Sequence, residues 1–153
     1  MTCEYLQNNL ALRPLDPGVL KPRNAGEPSH MFELKIISHF AAAHQLKMVA
    51  RKCENLHGHN WKVEIMVSGE TLNDAGVLID FGEIKTCVSG IMDGLDHKFL
   101  NELAPFKNNN PSSENIALFI AKALQEKIDG TSIKVCRVTA WESEDACATY
   151  IPS

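Results

Sequence analysis

The sequence lacks any uncharged apolar run close to the roughly 18 residues that a membrane span requires. It also lacks the even, regularly spaced set of cysteines typical of a secreted disulfide framework, because its five cysteines form an odd count without such spacing. The N-terminus has no basic segment followed by an apolar one, as a secretory signal would have. We therefore expect a cytoplasmic protein with free thiols that does not enter a membrane.

A strong charge of either sign is also lacking. The net charge of −4 gives no general reason to bind nucleic acid or an anionic membrane, so an anionic ligand would need local basic residues. Arg51 and Lys52 are available for this role, although on charge alone a solvated loop pair is the slightly favoured interpretation.

The chain has 153 residues, of which 44% are hydrophobic and 22% charged, and no repeat is visible. This is the composition of an ordinary globular protein with one core. Four of the seven prolines lie within residues 1–30, which show no sustained periodicity. We predict an extended arm over residues 1–30 and a single domain over residues 31–153.

Alternation of apolar and polar residues predicts two pairs of strands, with two helices between the pairs. The first two strands run from Phe32 toward Ala42 and from Asn60 to Ser68, and the last two cover about 133–142 and 147–151.

Each predicted helix has a recognisable start. Asp80 with Glu83 resembles a capping box, before a helix expected to end near Gly94, and the segment 111–114 offers a second N-cap, before a helix ended by Gly130. The order ββααββ predicts an α+β domain in which a four-stranded antiparallel sheet carries two helices.

A thiol and two imidazoles lie within seven residues of the chain, at Cys53, His57 and His59. Alternate residues of an extended chain share a face, so both imidazoles can point toward one ion, with Gly58 between them. A reactive zinc site usually has three protein ligands and one open position, so a third ligand is needed. His44, which follows three alanines at the end of a strand-like run, is the strongest candidate.

Other interpretations of these residues remain open. His57 and His59 also fit an ordinary strand entry with hydrogen-bonded imidazoles. A closed zinc module with Cys53 as a fourth ligand is a non-catalytic alternative, marked by an unreactive thiol. A cupin-like motif that adds Glu64 is disfavoured, because Glu64 would lie on the opposite face of a regular strand. His30 and His39 are weaker ligand candidates.

Two further polar clusters are candidates for proton transfer and ligand binding. Asp96 and His97 follow the first predicted helix and combine a carboxylate with an imidazole that can titrate near neutral pH, although a polar helix end has the same composition. Glu142 ends a strand, where its carboxylate could accept two parallel hydrogen bonds from an amidine-like edge or remain a surface charge.

Together, these motifs resemble the family of 6-pyruvoyltetrahydropterin synthase and 6-carboxytetrahydropterin synthase. The resemblance covers about residues 31–152 and rests on the order and spacing of residues 40–44, 53–59, 78–81, 95–97, 112–115 and Glu142. It implies the tunnelling fold, in which subunits join their sheets into a barrel, commonly as hexamers with active sites between subunits.

The same resemblance assigns roles to individual residues, with a pterin triphosphate as substrate. It implies that His44, His57 and His59 bind zinc. It implies that Cys53 is the catalytic base and that Asp96 and His97 are its proton-transfer partners. It also implies that Glu142 anchors the pterin, while Ser112 and Ser113 contact the pterin ring.

Spacing within the first motif distinguishes two branches of the family. Three residues separate Cys53 from His57, which resembles the bacterial 6-carboxytetrahydropterin synthases of the queuosine pathway, whereas the pyruvoyl enzymes of biopterin synthesis have a longer gap. The implied reaction converts 7,8-dihydroneopterin triphosphate to 6-carboxytetrahydropterin and releases acetaldehyde and triphosphate. The pyruvoyl synthase reaction is the alternative within the family.

Overall fold

The computed structural model describes residues 30–47, 55–129 and 131–153. Apart from His30, the predicted N-terminal arm lies outside these ranges, as does Cys53. The described chain forms five strands and two helices in the order β1 (Phe32–His44), β2 (His57–Gly69), α1 (Phe81–Leu95), β3 (Lys98–Phe99), α2 (Ser113–Lys127), β4 (Lys134–Trp141) and β5 (Cys147–Tyr150). Two short 3₁₀ turns, Leu100–Glu102 and Ala104–Phe106, connect β3 to α2.

The α+β prediction is confirmed, but the sheet has five strands rather than the predicted four, in the order β3-β1-β2-β4-β5. The additional strand, β3, pairs in parallel with Ala42 and Ala43 of β1, and the other neighbouring strands are antiparallel. Two residues are too few to show an alternating pattern. β3 forms because α1 ends beside β1, where the backbone N–H of His97 donates to the carbonyl of Ala41 at 2.6 Å.

The pairing of β1 with β2 decides which side chains meet. Both strands have 13 residues and pair over their full length, so that His44 lies opposite His57. Opposite residues share a face of the sheet, and every second residue returns to that face. Phe40 of β1 and Trp61 of β2 are opposite one another and buried, and their rings stack with centroids 5.8 Å apart.

The two helices cover this buried face. Their core residues recur at helical spacing and are almost fully buried, namely Ile84, Val88, Ile91, Met92 and Leu95 of α1, and Ile116, Ala117, Ile120, Ala121 and Leu124 of α2. The other face of the sheet carries charged side chains. There Glu64 pairs with Lys35 and Lys62 at Nζ–O distances of 3.2 and 2.6 Å, which confirms that Glu64 points away from the imidazoles.

Both helix starts are confirmed. The Asp80 carboxylate accepts hydrogen bonds from the backbone N–H groups of Gly82 and Glu83, at 2.7 and 3.3 Å, and Ser112 caps α2. α1 ends one residue past Gly94, whereas α2 ends at Lys127, before Gly130, which lies outside the described residues. Within the described ranges, neither helix has the length and apolarity needed to cross a membrane.

We expect Asp80→Ala to lower the free energy of unfolding by about 1 kcal/mol, because the first N–H groups of α1 lose their acceptor. Asp74→Ala, which removes an exposed carboxylate from the preceding loop, is the matched control. Urea denaturation followed by circular dichroism measures both. Equal effects of the two substitutions would show that the Asp80 cap does not stabilise α1.

Candidate functional site

Three imidazoles converge where β1 ends and β2 begins. His44 Nε2 lies 3.0 Å from His57 Nε2, and the ring of His59 is 5.2 Å from that of His44 and 4.9 Å from that of His57, measured between centroids. Glu142, immediately after β4, completes the cluster. One potential ligand atom from each of these four residues lies within 4.8 Å of the others.

Backbone carbonyls fix the protonation of two of the rings. His44 Nδ1 donates to the carbonyl of Pro111 at 2.7 Å, and His57 Nδ1 donates to that of Asn55 at 2.7 Å. Because a carbonyl only accepts, each neutral ring carries its proton on Nδ1 and presents a lone pair on Nε2. Two lone pairs 3.0 Å apart repel each other, and a shared cation removes that repulsion. A backbone carbonyl at Nδ1 is also a usual outer partner of a metal-bound histidine.

The third ring presents an unpaired nitrogen. His59 Nε2 is buried and lies 3.2 Å from Glu142 Oε1, within ion-pair range. Their orientation is not that of a hydrogen bond, so this nitrogen has no hydrogen-bond partner in the described part of the chain. A buried ring nitrogen beside a carboxylate is a suitable ligand for a cation.

Burial favours the neutral form of two of the three rings. Desolvation is the main cause that lowers the pKa of both His44 and His59, and a positive charge on His57 would lower both further. The hydrogen bond to Pro111 opposes the shift in the pKa of His44, and the Glu142 carboxylate opposes it for both rings. Neutral imidazole is the form that binds a metal, so protons compete little for these nitrogens near pH 7. A donor set of three imidazoles suits zinc better than calcium or magnesium.

A buried aromatic ring supports the cluster from the core side. Trp61 is fully buried, and its ring meets those of His44 and His59 edge to face, at 5.2 and 5.4 Å. Trp61 follows His59 by two residues on the same face of β2, so the ligand and its support share one strand.

The structure brings together some, but not all, of the other predicted site residues. Ser113 Oγ donates to Glu142 Oε2 at 3.1 Å, so these two residues form one unit. Ser112 instead caps α2 by accepting from the backbone N–H of Asn115 at 3.4 Å. Cys53 lies outside the described residues, between Lys47 and Asn55.

Asp96 and His97 lie at the edge of β1. Asp96 accepts from the Ala41 backbone N–H and from His97 Nδ1, at 2.7 Å in each case, and these bonds lower the pKa of its carboxyl group. His97 has a positive φ of 54°, and its side chain is 82% exposed. His97 and His59 both line an open cavity of about 540 Å³ at this end of the sheet.

The proximity of Glu142 to the imidazoles was missed from the sequence, as were the carbonyls of Pro111 and Asn55. Strand parity contains the signal for Glu142. Lys62 pairs with Trp141, so the next residue of the chain comes opposite Trp61, on the face of His59. Detecting this requires the register between β2 and β4, which single-strand patterns do not provide.

Comparisons with known proteins find a matching family model and several similar chains. A family model described as 6-pyruvoyl tetrahydropterin synthase matches residues 33–153. A protein of Pyrococcus furiosus named dihydroneopterin monophosphate aldolase is 36% identical over 106 residues, which are 69% of this chain and 85% of that protein. A protein of Archaeoglobus fulgidus, provisionally named 6-carboxy-5,6,7,8-tetrahydropterin synthase, is 38% identical over 113 residues, which are 74% of this chain and 90% of that protein.

A solved structure shares the fold. The structure of Caenorhabditis elegans 6-pyruvoyl tetrahydropterin synthase aligns with a TM-score of 0.73 and 26% sequence identity. The alignment covers 82% of this chain and 98% of that one.

We expect His44→Ala to weaken zinc binding by more than about 100-fold, because loss of an outer partner of a ligand alone costs about 10–100-fold. His39→Ala is the matched control, since it removes an exposed imidazole from the same strand. Competition titration with a zinc chelator measures both affinities. An unchanged affinity in folded His44→Ala protein would remove His44 from the ligand set.

Proposed function

This chain belongs to the 6-pyruvoyl tetrahydropterin synthase family, and on that premise we propose that it is a zinc-dependent lyase. The proposed reaction converts 7,8-dihydroneopterin triphosphate and one water molecule to 6-carboxytetrahydropterin, acetaldehyde and triphosphate, as in queuosine biosynthesis. The observation that carries the proposal is the convergence of His44, His57 and His59 beside the Glu142 carboxylate. The three-residue gap between Cys53 and His57 supports the carboxy branch.

The chemistry divides between binding and proton transfer. When bound, zinc would act as a Lewis acid toward hydroxyl oxygens of the substrate side chain. Glu142 would accept hydrogen bonds from the amino-pyrimidine edge of the pterin, which presents parallel N–H donors as a guanidinium does. Ser113 donates to one oxygen of this carboxylate and so limits its rotation. Ser112 would contribute to pterin binding through its position at the start of α2.

Proton transfer falls to Cys53, Asp96 and His97. A cation nearby would lower the pKa of the Cys53 thiol and favour the thiolate, which can remove a proton from the substrate. His97 donates through Nδ1 to Asp96, so its Nε2 is left to accept or return a proton. The exposure of the His97 ring allows this exchange with a substrate or with solvent.

Homo-oligomerisation is a further part of the proposal. β3 and β5 are the two edge strands of the described sheet, and pairing between subunits would satisfy their backbone groups. We expect a hexamer in the cytoplasm, with the sheets joined into a barrel.

A second candidate function is retro-aldol cleavage of a dihydroneopterin phosphate. The Pyrococcus furiosus relative named dihydroneopterin monophosphate aldolase supports it, because the alignment spans 85% of that protein. The third possibility is the pyruvoyl synthase reaction, since the similar Caenorhabditis elegans structure carries the name 6-pyruvoyl tetrahydropterin synthase. These reactions give different products, so product analysis with the triphosphate and with the monophosphate as substrate separates them.

We expect anaerobic incubation with 7,8-dihydroneopterin triphosphate to yield 6-carboxytetrahydropterin and acetaldehyde, measured by mass spectrometry and an aldehyde assay. Cys53→Ala should keep its zinc and lose turnover, because a base is needed for proton removal and not for coordination.

Other outcomes would redirect the assignment. A pyruvoyl product without acetaldehyde would move the chain to the biopterin branch, and a 6-hydroxymethyl pterin from the monophosphate would favour the aldolase. Loss of zinc and fold in Cys53→Ala would instead indicate a closed, non-catalytic zinc module.

We expect Glu142→Gln to weaken pterin binding by about 1.5–3 kcal/mol, the usual contribution of a hydrogen bond to a charged group. Glu144→Gln, which changes an exposed glutamate two residues later, is the matched control. Isothermal titration with a non-reactive pterin measures both. If Glu142→Gln lost zinc in parallel, Glu142 would be a fourth metal ligand rather than the anchor.

A further inference from the structure

Two asparagine side chains each bind both backbone groups of one residue in the segment that follows β1. Asn101 Oδ1 accepts from the N–H of Gln45 at 2.9 Å, and Asn101 Nδ2 donates to its carbonyl at 2.7 Å. Asn110 Oδ1 accepts from the N–H of Lys47 at 2.9 Å, and Asn110 Nδ2 donates to its carbonyl at 2.9 Å. A carboxamide presents a carbonyl and an N–H side by side, as a peptide group does, so each asparagine replaces one residue of a partner strand.

These bonds continue a ladder that begins within β1. In an extended chain the N–H and carbonyl of every second residue point to the same edge. The N–H of Ala41 donates to Asp96, and the carbonyl of Ala41 accepts from the N–H of His97. The N–H and carbonyl groups of Gln45 and Lys47 point to the same edge farther along the chain. The side-chain amides therefore extend the edge pairing of β1 three residues past His44, where the described part of the chain has no strand to provide it.

Asn110 is itself tied to the metal cluster. Its carbonyl accepts from Asn115 Nδ2 at 2.8 Å, which holds it against the first turn of α2. The next residue, Pro111, accepts the hydrogen bond from His44. The same turn of chain therefore orients a ligand ring and binds Lys47.

The asparagine contacts matter because Cys53 lies close in sequence to the residues that they hold. Lys47 precedes Cys53 by six residues, and Asn55, whose carbonyl is bound by His57, follows it by two. The span that carries the thiol is thus held on both sides by residues attached to the site. Because a misplacement of about 1 Å can reduce turnover about 100-fold, restraint at these two points bears directly on the position of a catalytic base.

We propose that Asn101 and Asn110 are positioning residues that hold the chain entering the Cys53 segment in register with the metal cluster. This inference rests on the proposed function, in which Cys53 is the base. Neither asparagine contacts the pterin-binding pair Ser113–Glu142 among the described hydrogen bonds, so the two residues act on the thiol rather than on substrate affinity.

Asn101→Asp and Asn110→Asp test the proposal, since each keeps the shape and the acceptor but replaces the N–H₂ donor with an oxygen that repels the backbone carbonyl. Asn109→Asp is the matched control, because it introduces the same charge at an exposed neighbouring asparagine. We expect the two substitutions to lower kcat about 10- to 100-fold, with KM and zinc content close to those of the unsubstituted protein and of the control. Unchanged kcat, or a fall in kcat that parallels loss of zinc, would overturn the proposal.

Alkylation by iodoacetamide separates failure of this inference from failure of the proposed function. If the unsubstituted protein does not turn over pterin phosphates, the proposed function fails. The role of Asn101 and Asn110 is then tested by the labelling of Cys53, which needs no substrate. Peptide mass spectrometry would compare the labelling rate of Cys53 with that of the exposed Cys147 as an internal reference. We expect both aspartate variants to change this ratio relative to the unsubstituted protein and to Asn109→Asp, because they release the chain that leads to Cys53, and an unchanged ratio would overturn the proposal.

Discussion

The full-length antiparallel pairing of β1 and β2 is the constraint on which the rest of the structure depends. Their register sets Phe40 opposite Trp61 in the core and His44 opposite His57 at the end of the same two strands. A slip by one residue would move every side chain of one strand to the other face, which would expose the core and separate the imidazoles together. Packing therefore determines the geometry of the histidine cluster, because the core and the site depend on the same strand register.

The site combines groups that would each destabilise the fold in the absence of a bound cation. Converging lone pairs on His44 and His57, and a buried His59 nitrogen without a hydrogen bond, are unfavourable unless a cation is bound. The carbonyls of Pro111 and Asn55 hold two of the rings in this arrangement. A metal bound to the native state would recover the stability lost at such a cluster, since binding to the folded form alone favours folding.

Much of this architecture could be predicted from local sequence. Alternation gave the four longer strands, Asp80 and Ser112 gave the helix starts, and the spacing of His57 and His59 gave their shared face. The two-residue β3 carries no periodic signal, and it forms only because α1 ends against Ala41. The place of Glu142 beside His59 depends on register between distant strands, and the asparagine contacts depend on where two turns fall in space. Both features arise from tertiary structure, and neither leaves a pattern in the local sequence.

Because Trp61 contacts His44 and His59 edge to face, its fluorescence is expected to report on the histidine cluster. Indole emission is sensitive to the charge of a neighbouring imidazole, and the pKa of both rings is lowered by burial. The sequence has two tryptophans, and the other, Trp141, has Lys62 over its ring at 5.2 Å. Steady-state fluorescence of a Trp141→Phe background would therefore follow the electrostatic state of the histidine cluster in real time, without an added dye.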